Sequence, residues 1–263
     1  MVTPRDNSPP PAGWASLIEG PRVLVVIPAR YASSRFPGKA LADLAGQPMI
    51  AHVVRRALAA KTVDHVIVAT DDERVAVAAT EAGAEVVMTG VHPSGTDRIA
   101  EAVAGGSIWD LVINVQGDEP MLSGANIDTL VEGMRARPEV GMATLCRPIS
   151  LEDVNDPNAV KVVRRSDGRA LYFSRSAIPF PRDSETAEAL WRLHLGIYGF
   201  RPETLRSLVA MQPSSLERAE GLEQLRAMEN GIDILVFDAP DEAHGVDTPQ
   251  DLERVRLMMN RGD

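Results

Sequence analysis

Three aliphatic, β-branched runs constrain this chain more than any other feature. VLVVI (23–27), VDHVIVAT (63–70) and DLVINVQ (110–116) lack the strict polar alternation of a half-exposed strand. They read as strands buried on both faces. The segments between them change period. Residues 47–60 place Met49, Ile50, Val53, Val54, Ala57 and Leu58 at helical spacing, DDERVAVAATEAG (71–83) opens on acids and stops at Gly83, and 96–104 is helical. EVVM (85–88) adds a short strand. Strands alternating with helices predict βαβ units on a parallel sheet, an α/β fold.

Beyond residue 140 the alternation loosens. GMATLC (141–146), AVKVVRR (159–165), RALYFS (169–174) and LHLGIYGF (193–200) read as strands, with a Pro- and charge-bearing excursion over 178–192. A helix is expected over 215–230, a strand over 232–237 and a last helix over 248–260. Pro4, Pro9, Pro10 and Pro11 make residues 1–20 a flexible tail, since proline interrupts helices and central strands. Residues 21–263 then form a single domain. No segment reaches the roughly 18 apolar residues of a membrane span, and no secretory leader is recognisable. Cys146 is the single cysteine, which excludes an internal disulfide and a thiolate-rich zinc site and fits a cytoplasmic home. The net charge of -10 argues against nucleic acid and against an anionic membrane surface. If such a chain handles a small anion, its positive charge must be local.

Ligands of open parallel sheets bind beyond the carboxyl ends of the strands, so the loops after Ile27, Thr70 and Gln116 are the places to search. PARYASSRFPGK (28–39) carries Arg30, Arg35 and Lys39 among small residues. Small residues let backbone N–H groups approach a polyphosphate, and cations supply charge. A merely solvated basic loop is the alternative. Neither a P-loop nor a G-x-G-x-x-G motif is present. VQGDEP (115–120) sets Asp118 and Glu119 at a turn; a carboxylate there suits a hard cation, although turn aspartates are common. In HGVDTPQDLERV (244–255), Thr248 is a helix cap and Pro249 its first residue. Asp247 has no such explanation and could share a cation with Asp118. HPSGTDR (92–98) is a capping segment or a ligand loop into which Arg98 reaches. HLGIYGF (194–200) reads as an interior strand whose glycines allow close approach. In LEQLRAMENG (222–231), Glu223, Gln224 and Arg226 read as a solvated face.

Taken in order, VVIPARYASSRFPGK, VATDD, SGTDR, VINVQGDEPM, GMATL, NAVKVV, ALYFSRSAIPF, HLGIYGF, LEQLR and GVDTPQDLERV resemble the CMP-Kdo synthetase family, the cytidylyltransferases of 3-deoxy-manno-octulosonate (Kdo). The resemblance runs from about Arg22 to the last helix. It implies a mixed, mainly parallel sheet of the nucleotide-diphospho-sugar transferase type, with a smaller dimerisation and sugar-binding subdomain or arm at about 170–200. It implies transfer of CMP from CTP to the anomeric hydroxyl of Kdo for lipopolysaccharide biosynthesis, with Mg²⁺ as cofactor, in a cytoplasmic homodimer.

By the same resemblance Lys39, Arg35, Asp118 and Asp247 are catalytic, and Asp118 and Asp247 hold the metal. Ala29, Arg30, Ser33, Thr70, Asp71, Ser94, Gly95, Thr96 and Arg98 surround the nucleotide. Gln116, Arg175, His194, Tyr198, Glu223 and Gln224 surround the sugar acid, which reverses the solvated reading of Glu223 and Gln224. The tail, the 178–192 excursion and His244 depart from the family pattern. A sialic acid cytidylyltransferase and a non-catalytic nucleotide-sugar-binding protein are the alternatives. LEQLR and HLGIYGF favour Kdo over sialic acid, and binding without catalysis would give no diphosphate release.

Overall fold

The computed structural model describes residues 22–32, 36–105, 109–182 and 190–261. The expected tail therefore lies outside the described residues.

The three aliphatic runs form β1 (Val23–Ala29), β4 (His65–Thr70) and β6 (Leu111–Asn114), all buried apart from half-buried His65. Between β1 and β4 lie a small hairpin, β2 (Asp43–Leu44) and β3 (Gln47–Pro48), and the helix α1 (Met49–Leu58). The helix α2 (Glu73–Glu81) starts where Asp72 accepts the backbone N–H groups of Arg74 and Val75, a side-chain N-cap. It leads to β5 (Glu85–Met88) and α3 (Gly95–Val103). After β6 come α4 (Gly124–Ala136), β7 (Met142–Pro148), β8 (Lys161–Arg164), β9 (Ala170–Ser174) and β10 (Arg192–Phe200). The chain continues through α5 (Pro202–Ala210), α6 (Ser215–Glu220), α7 (Gln224–Glu229), β11 (Ile234–Asp238) and α8 (Pro249–Arg261).

One sheet runs β11-β7-β10-β6-β1-β4-β5, with β8 and β9 paired beside β10. Along that path β10 is antiparallel to both neighbours and every other pairing is parallel. The mixed, mainly parallel sheet is as expected. Its two faces carry separate apolar layers: α1, α2 and α4 pack on one side, and α3, α5 and α7 on the other. A third cluster joins Leu44 and Met49 to Val246, Leu252 and Val255, so the last helix folds back beside the start of the chain. The 170–200 stretch begins on β9 and ends on β10 within the sheet.

Two helices lie where no element was expected. α4 has Ser123 as its cap and buries Ile127, Leu130, Val131 and Met134, while α5 begins at Pro202 and buries Leu205 and Leu208. The single helix expected over 215–230 is instead two. α6 ends at Gly221, in the left-handed conformation at φ 62°, which glycine adopts at little steric cost. The break changes which face of the following turn points inward.

Candidate active site

The loops after β1 and β6 meet because Gly117 has no side chain: a Cβ there would lie 2.9 Å from the Pro28 carbonyl oxygen. Beside them opens a cleft of about 200 Å³, lined by Ala29, Arg30, Lys39, Ser94, Gly95, Arg98, Gln116, Asp118 and Asp247 among others. Segments remote in sequence thus reach one place. Lys39 starts a 3₁₀ turn, and the preceding loop is closed where the Gly38 N–H donates to the Tyr31 carbonyl at 2.9 Å. Asp247 is brought in where the Val246 N–H donates to the Asp118 carbonyl at 2.8 Å. Thr248 then caps α8, its hydroxyl oxygen accepting the Asp251 N–H at 3.2 Å.

Asp118 and Asp247 converge. The Lys39 ammonium donates to Asp118 Oδ2 at 2.6 Å and to Asp247 Oδ1 at 3.2 Å. Half-buried Glu119 sits beside them; burial and repulsion from Asp118 and Asp247 push its pKa up to about 8. Among the described residues no three His, Cys, Asp or Glu side chains form a metal cage. Two carboxylates around one cation do suit Mg²⁺, which is held by one or two carboxylates plus phosphate oxygens and water. The donor set fits a hard divalent cation, and the ammonium marks where positive charge is favoured.

The residues expected around the nucleotide divide. Arg30 is exposed on the cleft rim. Arg98 is buried, donating to Asp71 Oδ2 at 2.9 Å and Thr89 Oγ1 at 2.5 Å. Asp71 therefore anchors Arg98. Thr70 is fully buried at the end of β4, its hydroxyl oxygen accepting the Asp72 N–H at 3.2 Å, and it does not line the cleft. Ser94 caps α3, the structural role weighed from sequence, and also lines the cleft. Ser33 and Arg35 lie outside the described residues. His92, which the sequence reading did not single out, lines the same cleft and is in close contact with Glu101.

Asp247 also borders two further cavities. One, of about 540 Å³, includes Asp118, His194 and Gly196; the other, of about 460 Å³, includes Asn158 and Arg175. His194 stacks edge-on against Phe173 at 5.1 Å and packs against Tyr198 at 5.3 Å. Burial depresses its pKa to about 3, so the imidazole is neutral at neutral pH. Thr144 Oγ1 lies 2.7 Å from the Ile197 carbonyl and 3.0 Å from His194 Nε2. With the hydroxyl proton spent on that carbonyl, His194 Nε2 is assigned as the donor to Thr144. Burial, reinforced by Glu223, holds the Tyr198 phenol well above its ordinary pKa. Gln116 donates to Asn114 Oδ1 at 2.9 Å.

Glu223 accepts from Thr96 Oγ1 at 3.0 Å and Ser94 Oγ at 3.3 Å, which joins the turn before α7 to the start of α3. Gln224 is buried, and its amide nitrogen has no hydrogen-bond partner among the described residues. Such an orphaned donor costs about 1–3 kcal/mol, which a ligand oxygen would offset. Arg226 is buried against Glu217, with contacts of 2.8 and 2.5 Å. None of these three residues is the solvated side chain that residue type alone suggested.

Known proteins resemble this chain over most of its length. A family model described as cytidylyltransferase matches residues 24–234. A 3-deoxy-manno-octulosonate cytidylyltransferase of Anaeromyxobacter dehalogenans (strain 2CP-1) is 49% identical, over 91% of this chain and 98% of its own length. The enzyme of that name from Escherichia coli is 47% identical, over 90% of this chain and 96% of its own. A solved CMP:2-keto-3-deoxy-manno-octonic acid synthetase complexed with CTP superposes with a TM-score of 0.87 at 46% identity, covering 92% of this chain and 100% of that one.

Proposed function

The chain belongs to the 3-deoxy-manno-octulosonate cytidylyltransferase family, and from that premise we propose how its residues share the work. It transfers CMP from CTP to the anomeric hydroxyl of Kdo, giving CMP-Kdo and diphosphate, a step of lipopolysaccharide biosynthesis. The hydroxyl oxygen bonds to the α-phosphorus and its proton passes to water, while the bond to the bridging oxygen breaks and that oxygen leaves with the electron pair on diphosphate. Phosphoryl chemistry of this kind rests on positioning and charge stabilisation.

The observation that carries the assignment is the convergence of Asp118 and Asp247 on Lys39, with contacts of 2.6 and 3.2 Å, at a wall shared by the nucleotide cleft and the two sugar-side cavities. Asp118 and Asp247 would hold Mg²⁺. When bound there, the ion supplies a Lewis acid that lowers the pKa of a coordinated hydroxyl and offsets charge on the phosphates. Lys39 and Arg35 take the α-phosphate and the departing diphosphate, and Arg30 takes the outer phosphates. Ala29, Ser33, Thr70, Asp71, Ser94, Gly95, Thr96 and Arg98 make up the nucleotide pocket and its support. On the sugar side, Arg175 offers a guanidinium to the Kdo carboxylate, while Gln116, His194, Tyr198, Glu223 and Gln224 address its hydroxyls. Neutral His194 serves as a hydrogen-bonding group, not as a cation. The same reading takes a homodimer as the assembly and the cytoplasm as the location; among the described residues no helix is long and apolar enough to cross a membrane.

Diphosphate release from CTP, Kdo and Mg²⁺ tests the assignment in the wild type and in Asp247→Asn. Release by the wild type and a loss of at least a hundredfold in the variant are expected. A fully active Asp247→Asn would remove this residue from the metal site, and an inert wild type would remove the activity itself.

A further inference from the structure

The chain has three lysines, Lys39, Lys61 and Lys161. Lys161 is the anomaly: on β8 it is fully buried, a position lysine almost never takes unless paired. No described carboxylate forms an ion pair with it. Its ammonium donates to two backbone carbonyls, Asp156 at 2.8 Å and Arg175 at 2.6 Å. Arg175 is held in the same way. Its guanidinium donates to the carbonyls of Glu220 at 2.7 Å, Pro157 at 2.8 Å and Gly221 at 3.4 Å. The Glu220 carboxylate is occupied by Ser174 Oγ at 2.6 Å and the Arg175 backbone N–H at 3.0 Å. Two cations thus clamp one piece of backbone, residues 156–157, against the end of β9, and carbonyl dipoles satisfy both. Arg175 lines the cavity it shares with Asp247.

Neutral donors could satisfy the same carbonyls without the cost of burying a charge. We propose that Lys161 is a positioning residue for the sugar acid: it fixes Arg175 and adds a second positive charge behind it, so that this wall receives the carboxylate of the acceptor. The inference rests on the reading of Arg175 as the carboxylate partner. Lys161 acts through Arg175 and does not itself line the cavity.

Steady-state kinetics of Lys161→Gln separates charge from clamping, because glutamine keeps a donor for the carbonyls and loses the charge. A rise of at least tenfold in KM for Kdo is expected, with KM for CTP within twofold and kcat within threefold of wild type. A purely structural clamp predicts no change with either substrate, or equal damage with both, and either result overturns the proposal. Arg175→Gln is measured in parallel. If it leaves KM for Kdo unchanged, the reading of Arg175 itself fails; if it raises KM and Lys161→Gln does not, only the role of Lys161 fails.

A measurement on the wild-type protein holds even if the variant does not fold. With three lysines, the ¹⁵N spectrum of side-chain ammonium groups is simple, and the buried, slowly exchanging Lys161 signal should move when Kdo joins a complex with a non-reacting CTP analogue. An absent ammonium signal, or one unmoved by Kdo, overturns the proposal.

Discussion

Replacing Lys39 with methionine tests the centre of the site without asking it to turn over. The Lys39 ammonium lies 2.6 Å from Asp118 and 3.2 Å from Asp247, where a divalent cation would compete with it. Hydrogen bonds to charged groups contribute about 1.5–3 kcal/mol. The Asp247 side chain is 48% exposed and the Asp118 side chain 33%, so the pair belongs near the lower part of that range, about 2 kcal/mol. A metal entering the nucleotide-free protein must displace the ammonium. At 1.4 kcal/mol per tenfold, Lys39→Met should therefore bind Mn²⁺ about 30-fold more tightly than wild type in the absence of nucleotide. With CTP present the advantage should shrink or reverse, because the displaced ammonium of the wild type then gains phosphate oxygens. Electron paramagnetic resonance of free Mn²⁺ reads both cases, with Asp118→Asn as the control that loses the site. Unchanged or weaker Mn²⁺ binding by nucleotide-free Lys39→Met would refute the competition.

Gly117→Ala sets a Cβ 2.9 Å from the Pro28 carbonyl oxygen, so the turn carrying Asp118 must shift against the end of β1. Since misplacement by about 1 Å can cost 10²-fold, kcat/KM should fall about 10- to 100-fold while the melting temperature drops by only a few degrees; full activity would contradict the close approach. His194 has its pKa depressed to about 3 by burial, below the ordinary 6.5. The unfolded chain then binds the extra proton first, so this contribution to stability is complete above pH 6.5 and is lost progressively as pH falls toward 3. Each pH unit below 6.5 should remove about 1.4 kcal/mol. Urea denaturation at pH 7 and pH 5 should show about 2 kcal/mol more loss in wild type than in His194→Gln, and equal losses would refute the assignment.

Much of the sheet was legible because β1, β4 and β6 are almost wholly buried and must be nearly continuous in apolar residues. The site was legible as a set of loops, because α/β topology fixes where strands end. Convergence was not. Lys39 and Asp247 are 208 residues apart, and spacing along the chain does not reveal that they share a hydrogen bond. α7 shows a different limit. Apart from Gly221, residues 215–230 are mostly helix-forming, and a single periodic face across them leaves Glu223, Gln224 and Arg226 on its solvated side. Gly221 breaks the helix and restarts it in a new phase. Gln224 and Arg226 are then buried, and Glu223 reaches Ser94 and Thr96. Resemblance pointed to Glu223 and Gln224, but the backbone break supplies the physical reason.

The chain's acidity also takes a more specific meaning. The loop after β1 was expected to supply local positive charge for a triphosphate. In the cleft, however, Lys39 is held by Asp118 and Asp247, Arg98 by Asp71 and His92 by Glu101. Among the described residues of that cleft, Arg30 is the one cation without a carboxylate partner. Arg30, even with Arg35 of the same loop, does not offset a triphosphate, so binding is expected to add positive charge or redirect what is already paired. Asp118 and Asp247 would hold a divalent ion that adds such charge, and the Lys39 ammonium they now bind would then be free for the phosphates, so that metal and CTP binding would be coupled through a single side chain. That coupling is why the ratio of Mn²⁺ affinities, Lys39→Met to wild type, should differ between the nucleotide-free and CTP-bound proteins, whereas independent sites would give the same ratio in both.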